Sequence, residues 1–97
     1  MLSVVSLPTL DELRAHVHTA LCQKHALEPA VTALRQMVIK RGGKPCGLFF
    51  EVAGPRLLRT YAVWAGEENR ILFYDNSGER YAESRLSEAP DPLRLAG

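Results

Sequence analysis

Features that would assign a chemistry are scarce in this sequence. Its only cysteines, Cys22 and Cys46, do not form a C-x-x-C pair, so there is no disulfide framework and no close pair of zinc ligands. There is also no nucleotide-binding glycine motif, no hydrophobic run of membrane-spanning length, and no basic start followed by a long apolar stretch at residues 1–5. We therefore expect a cytoplasmic protein with reduced cysteines and no cofactor.

An excess of charge is absent as well. The 12 lysines and arginines nearly balance the 11 acidic residues, which argues against a dedicated nucleic-acid-binding protein. A chain of 97 residues that is 46% hydrophobic is long enough to bury one core. We predict a single α+β domain over residues 1–83. Residues 84–97 contain Pro90 and Pro92 but few apolar positions, and we expect them to form a loosely ordered C-terminal tail.

The stretch from Cys46 to Glu83 has the pattern of an antiparallel meander. Three runs rich in apolar, β-branched and aromatic residues are separated by turn signals at Gly54–Arg56, at Gly66–Asn69 and at Asn76–Gly78. Residues 37–41 precede a Gly-Gly pair that suits a tight primed turn, so we expect a further edge strand there. The alternative is that a helix continues through these residues and stops at the glycines.

A helix is predicted before the meander. Thr9 and Glu12 have the spacing of a capping box, and apolar residues then recur at helical intervals to about His25. A short second helix from Pro29 to about Gln36 is possible. The predicted fold is thus an N-terminal helix packed on one face of a four- to five-stranded antiparallel meander sheet.

The turn signals also predict the pairing register, and with it the two faces of the sheet. The predicted loops place Ala65 opposite Arg70, Val63 opposite Leu72 and Phe73 opposite Tyr81. The core face then carries Cys46, Leu48, Phe50, Val52, Leu58, Thr60, Ala62, Trp64, Ile71 and Phe73. The opposite face carries Phe49, Glu51, Leu57, Arg59, Tyr61, Val63, Arg70, Leu72 and Tyr74.

The opposite face leads to the functional hypothesis. A solvent face should be mostly polar, whereas this one combines aliphatic residues with tyrosine and arginine, which protein interfaces favour. The interface candidates are Phe49, Leu57, Arg59, Tyr61, Val63, Arg70, Leu72 and Tyr74. We expect a non-enzymatic binding or assembly protein, either a homodimer or bound to another protein. The tail is a competing cover for this face, through Leu86, Leu93 and Leu95.

Two other functions are weaker hypotheses. Lys40, Arg41, Lys44 and Arg56 could bind an anion or, with the sheet aromatics, a nucleic acid, although the loop lacks a phosphate-binding motif. His18, Cys22 and His25 recur at helical spacing and with Cys46 could ligate zinc, but the spacing is permissive and we predict no metal. A small thiol- or metal-dependent enzyme is the last alternative. Cys22 or Cys46 would be the nucleophile and a histidine the base, but no neighbouring sequence marks an activated cysteine or a positioned base.

Overall fold

The computed structural model describes residues 2–55 and 58–95, and for Leu2 only the backbone. The elements are β1 (Leu2–Ser6), α1 (Leu10–Lys24), a 3₁₀ helix (Pro29–Val31), β2 (Arg35–Arg41), β3 (Lys44–Ala53), β4 (Arg59–Ala65), β5 (Arg70–Tyr74), β6 (Arg80–Glu88) and a second 3₁₀ helix (Pro92–Arg94). The strands form one sheet in the order β1-β6-β5-β4-β3-β2. This confirms the α+β class, but the sheet has six strands and is mixed, because β1 runs parallel to β6.

Helix α1 begins where the capping box predicts. The backbone N–H of Glu12 donates to the Thr9 hydroxyl at 3.2 Å, and that hydroxyl donates to the Glu12 carboxylate at 3.0 Å. Leu13, Val17 and Leu21 are fully buried at four-residue intervals, so the predicted apolar stripe faces the sheet. The helix ends at Lys24, within a residue of the prediction.

Residues 37–41 form a strand, which settles the alternative left open by the sequence. Gly42 and Gly43 both have positive φ, at 59° and 80°, and join β2 to β3 in a two-residue turn. The predicted helix from Pro29 to Gln36 is wrong. Only Pro29–Val31 is helical, because Gln36 is already paired with Phe50 in the ladder between β2 and β3.

The meander follows the predicted register through β5. Leu48 lies opposite Trp64, Val63 opposite Leu72, and Ala65 opposite Arg70. The next hairpin differs, because Phe73 pairs with Ala82 and not with Tyr81. A bulge leaves Tyr81 as the extra residue of β6, and this shifts the pairing by one position.

The core lies between α1 and the predicted core face. Trp64 and Phe50 are fully buried beside the helix residues Leu13 and Val17. Most of the face is buried with them, namely Leu48, Phe50, Val52, Thr60, Ala62, Trp64, Ile71 and Phe73, whereas Cys46 and Leu58 are half-buried. The predicted assignment is therefore confirmed for these eight buried residues but not for Cys46 and Leu58.

Both ends of the chain differ from the prediction. Strand β1 was not predicted; it pairs with β6 so that Val5 lies beside Leu86. The proposed tail boundary at Ser84 is also wrong, because β6 continues to Glu88, and Leu86 and Leu95 are buried in the core cluster. These residues are ordered because β1 supplies a partner strand that a simple meander lacks. Within the described ranges, no helix is both long and apolar enough to cross a membrane.

Candidate interaction face

The face of the sheet turned away from α1 is called the open face. From β3, β4 and β5 it carries Phe49, Glu51, Arg59, Tyr61, Val63, Arg70, Leu72 and Tyr74. The remaining interface candidate, Leu57, and the anion-binding candidate Arg56 lie outside the described residues. Arg59 is exposed and the other seven side chains are half-buried, since neighbours on the same face partly cover one another.

Cross-strand pairing arranges these side chains in two parallel rows. The apolar row runs from β2 to β5 through Met37, Phe49, Val63 and Leu72. The tyrosine row runs beside it through Arg35, Glu51, Tyr61 and Tyr74. Met37 is 65% exposed at one end of the apolar row. The open face therefore presents a continuous apolar band bordered by aromatic and charged side chains.

Three aromatic rings pack against one another on this face. The rings of Tyr61 and Tyr74 stack with centroids 5.0 Å apart and an angle of 13° between their planes. Phe49 packs against Tyr61 with centroids 5.6 Å apart. Such pairs contribute about 0.5–1.5 kcal/mol beyond the area they bury. Because Tyr61 has an aromatic neighbour on each side, its ring is a poor platform for an unpaired base.

Ion pairs surround the aromatic cluster on two sides. The Glu51 carboxylate lies 3.8 Å from Arg35 and 4.0 Å from Arg59. Across the sheet, the Arg70 guanidinium lies 2.7 Å from Glu68 and 3.7 Å from Glu83. Exposed pairs of this kind stabilise a fold by at most about 1 kcal/mol each. Their main consequence is that each side of the face carries both signs of charge.

The C-terminal segment, as far as Leu95, packs away from the open face. Leu86 and Leu95 pack in the core on the helix side, and Leu93 is 66% exposed. The ring of Pro92 lies beside Gly66, at the end of the sheet. The hypothesis that the tail covers this face through Leu86, Leu93 and Leu95 is therefore wrong for the described residues.

The basic turn between β2 and β3 is not a strongly positive site. Lys40, Arg41 and Lys44 are exposed there, but the Arg41 guanidinium donates to the Glu67 carboxylate at 3.3 Å. Arg41 and Lys44 also line a groove that includes Glu67 and Asp91. The nearby carboxylates reduce the attraction that this turn would exert on an anion.

The metal-ligand candidates do not converge. His18 donates to the backbone carbonyl of Thr32 at 2.6 Å, and the Cys46 thiol donates to that of Ile39 at 3.5 Å. Cys22 is buried in the core, and His25 caps the C-terminal end of α1. In the part of the chain that the structure describes, no three or more His, Cys, Asp or Glu residues are grouped so that they could hold a metal ion.

The surroundings of Cys22 are not those of an activated nucleophile. Both thiols are free. Burial, together with the negative charge of Glu28, raises the pKa of the Cys22 thiol, whereas a nucleophilic cysteine requires a lowered one. The surroundings of Cys22 therefore do not favour this residue as the nucleophile of a thiol enzyme.

Sequence reasoning missed part of the open face. Met37 lies on it because a bulge between Ile39 and Lys40 shifts the pairing of β2 by one residue. Counting back from the turn without this bulge would pair Met37 with Leu48 and place it on the core face. Nothing in the sequence marks the bulge.

Comparisons with protein-family models, with curated proteins and with solved structures find no match to this chain. The surfaces described above are therefore the basis for its proposed function.

Proposed function

We propose that the protein is a small non-enzymatic assembly protein of the cytoplasm that forms a homodimer through the open face. The observation that carries this proposal is the apolar row from Met37 to Leu72 beside the stacked tyrosines, on a face that the described C-terminal segment leaves uncovered. Contiguous apolar surface of this kind marks interaction sites. Covering it gains about 25 cal/mol per Å² removed from water.

The charges favour a second copy as the partner. Glu51 lies between two arginines on one side of the aromatic cluster, and Arg70 lies between two glutamates on the other. In a two-fold interface the same patch meets itself. Because both sides carry both signs, a copy turned over onto this face can pair arginine with glutamate in either orientation. A face of one sign would repel itself.

The available area indicates a weak dimer. The sheet has six strands of five to ten residues. At a strand spacing of about 4.8 Å and a rise of about 3.3 Å per residue, its flat area is roughly 700 Å². Specific interfaces bury about 600–1,000 Å² on each partner, so this face lies at the small end. We therefore expect a dissociation constant in the micromolar range.

Nucleic-acid binding is less well supported by the same face. The aromatic neighbours of Tyr61 restrict base stacking, and the arginines have carboxylate partners. An anion bound at the basic turn would lie near the carboxylates of Glu67 and Asp91, which would repel it. Base stacking and backbone cations are the two contributions on which such binding depends.

The test is the mass in solution from about 1 to 200 µM, a range that spans ordinary micromolar affinities. Sedimentation of the wild type should move from the monomer mass of 10.8 kDa towards twice that value. The double variant Val63→Glu, Leu72→Lys should stay monomeric with an unchanged circular dichroism spectrum. The matched control is Val31→Glu, at an apolar side chain that is 84% exposed on the first 3₁₀ helix, and it should dimerise normally. A wild type that is strictly monomeric at tens of micromolar would rule out the homodimer.

A further inference from the structure

A groove lies on the other side of the sheet, between α1 and β6. It has a volume of about 370 Å³, within the range of small-molecule sites. His16, Ala20 and Lys24 line one wall at four-residue intervals along α1. Ala82 and Ser84 of β6 line the other wall. The groove exists because α1 packs on β3 and β4 and because both walls have an alanine at their centre.

Three hydrogen-bonded polar side chains, those of Ser3, His16 and Ser84, line this groove. The Ser84 hydroxyl lies 3.0 Å from the Ser3 hydroxyl and 3.3 Å from Nε2 of His16. Ser84 is only 4% exposed and alternates with Ala82 and Leu86 on the core-facing side of β6. Burying a polar group costs free energy unless it is hydrogen-bonded. Here the three side chains are hydrogen-bonded to one another and line one cavity. Burial lowers the pKa of His16 and so favours its neutral imidazole.

The other end of the groove is positively charged. The Lys24 ammonium lies 4.4 Å from the centre of the Tyr81 ring, and none of the described carboxylates is within ion-pair distance of it. The Asp75 carboxylate is near enough for Lys24 to contribute to lowering its pKa, but it does not form an ion pair with Lys24. Glu83 contributes to the groove lining, but its carboxylate is paired with Arg70 and Arg85 on the open face. The groove therefore has a cation at one end, an apolar middle, and a neutral hydroxyl–imidazole pair at the other end.

We propose that this groove binds a small hydroxylated carboxylate with a flat apolar body. The carboxylate lies at Lys24, the apolar body packs between Ala20 and Ala82 on Phe73, and the hydroxyl group bonds to the Ser84–His16 pair. Lys24 and His16 are eight residues apart, about 12 Å along the helix axis, so their side chains can contact opposite ends of one ligand. This inference does not depend on the homodimer, because the groove and the open face are on opposite sides of the sheet.

The probe is 4-hydroxyphenylacetate, added up to 10 mM to the ¹⁵N-labelled full chain. Its binding is monitored by nuclear magnetic resonance. Shifts should concentrate at residues 16–24 and 82–84 with a dissociation constant of about 1 mM, as expected for a ligand of this size. Tyramine, in which an ammonium replaces the carboxylate, should bind at least fivefold more weakly. Phenylacetate, which lacks the hydroxyl group, should also bind more weakly.

Variants test whether specific side chains bind the ligand or whether the groove is only a gap in the packing. Lys24→Gln should weaken 4-hydroxyphenylacetate at least fivefold, whereas Lys40→Gln, at an exposed lysine of β2, should leave its affinity unchanged. Ser84→Ala should weaken 4-hydroxyphenylacetate but not phenylacetate. Ala20→Leu should fill the groove and abolish binding. The absence of localised shifts at 10 mM, equal binding of tyramine, or an unchanged affinity in Lys24→Gln would each overturn the proposal.

Discussion

Replacement of Trp64 by alanine and by phenylalanine should give very different losses of stability. The Trp64 side chain is fully buried between α1 and the sheet. A buried aromatic side chain removes up to about 250 Å² from water, which corresponds to at most about 6 kcal/mol. Trp64→Ala should therefore lower the free energy of unfolding by about 3–5 kcal/mol, a large share of the stability of a small domain.

Trp64→Phe should cost much less than its loss of volume suggests. The indole Nε1 of Trp64 is buried with no hydrogen-bond partner among the described residues. An unsatisfied buried donor costs about 1–3 kcal/mol, and phenylalanine removes that donor. The smaller ring loses on the order of 40 Å² of buried area, or about 1 kcal/mol, together with a cavity cost of similar size. We therefore expect a net change within about 1 kcal/mol of the wild type, because gain and loss nearly cancel.

The assay is urea unfolding followed by far-ultraviolet circular dichroism, because both variants lose the tryptophan fluorescence. The slopes of the unfolding curves should be the same in all three proteins. A loss in Trp64→Phe close to that in Trp64→Ala would refute the argument about the unpaired indole. A wild-type emission maximum typical of tryptophan in water would refute the burial itself.

Two further predictions concern single side chains. The pKa of His16 is lowered in the folded protein by burial, so the unfolded chain takes up the proton first as pH falls. The free energy of unfolding of the wild type minus that of His16→Gln should stay constant above about pH 6.5. It should decrease as pH falls from there towards the lower folded pKa, and level off below it. A flat difference from pH 8 to 5 would contradict this. Gly47→Ala should lower the free energy of unfolding by at least about 2 kcal/mol, because its Cβ would overlap the Trp64 carbonyl oxygen of the neighbouring strand. The control Gly54→Ala meets only the flexible Leu27 side chain at 3.1 Å and Leu58 at 3.6 Å, so equal losses in the two variants would contradict the prediction.

The parts of the fold that sequence could predict are those fixed by neighbouring residues. Gly42 and Gly43 have the positive φ angles that their turn requires, and Gly78 has φ of 86° in its loop. Turn lengths then fix which residues face the helix, which is why the burial of Trp64 could be predicted. Strand β1 could not be predicted in this way, because its partner strand lies at the other end of the chain.

The open face and the groove could also be predicted only where neighbouring residues determine the structure. The open face could be predicted where hairpin register determines it, as for Tyr61 and Tyr74. Met37 could not, because a bulge changes the face on which it lies. The groove could not be predicted either, since Ser3, His16 and Ser84 come from three separate elements. A serine on a strand that alternates with apolar residues is an ordinary pattern, and only the fold shows which neighbours it has.

The parallel pairing of β1 with β6 has a consequence for the order of folding. The strands from β2 to β6 are joined by short hairpins and can pair soon after they are made, whereas Ser3 must find Ser84 across 81 residues. Such distant contacts close late, because the entropy of the intervening loop is lost before they contribute. Of these six strands, β1 is synthesised first, and its partner β6 is synthesised last. Until β1 pairs with β6, the outer edge of β6 has unpaired backbone groups. During this interval the chain is most prone to exchange strands with another copy.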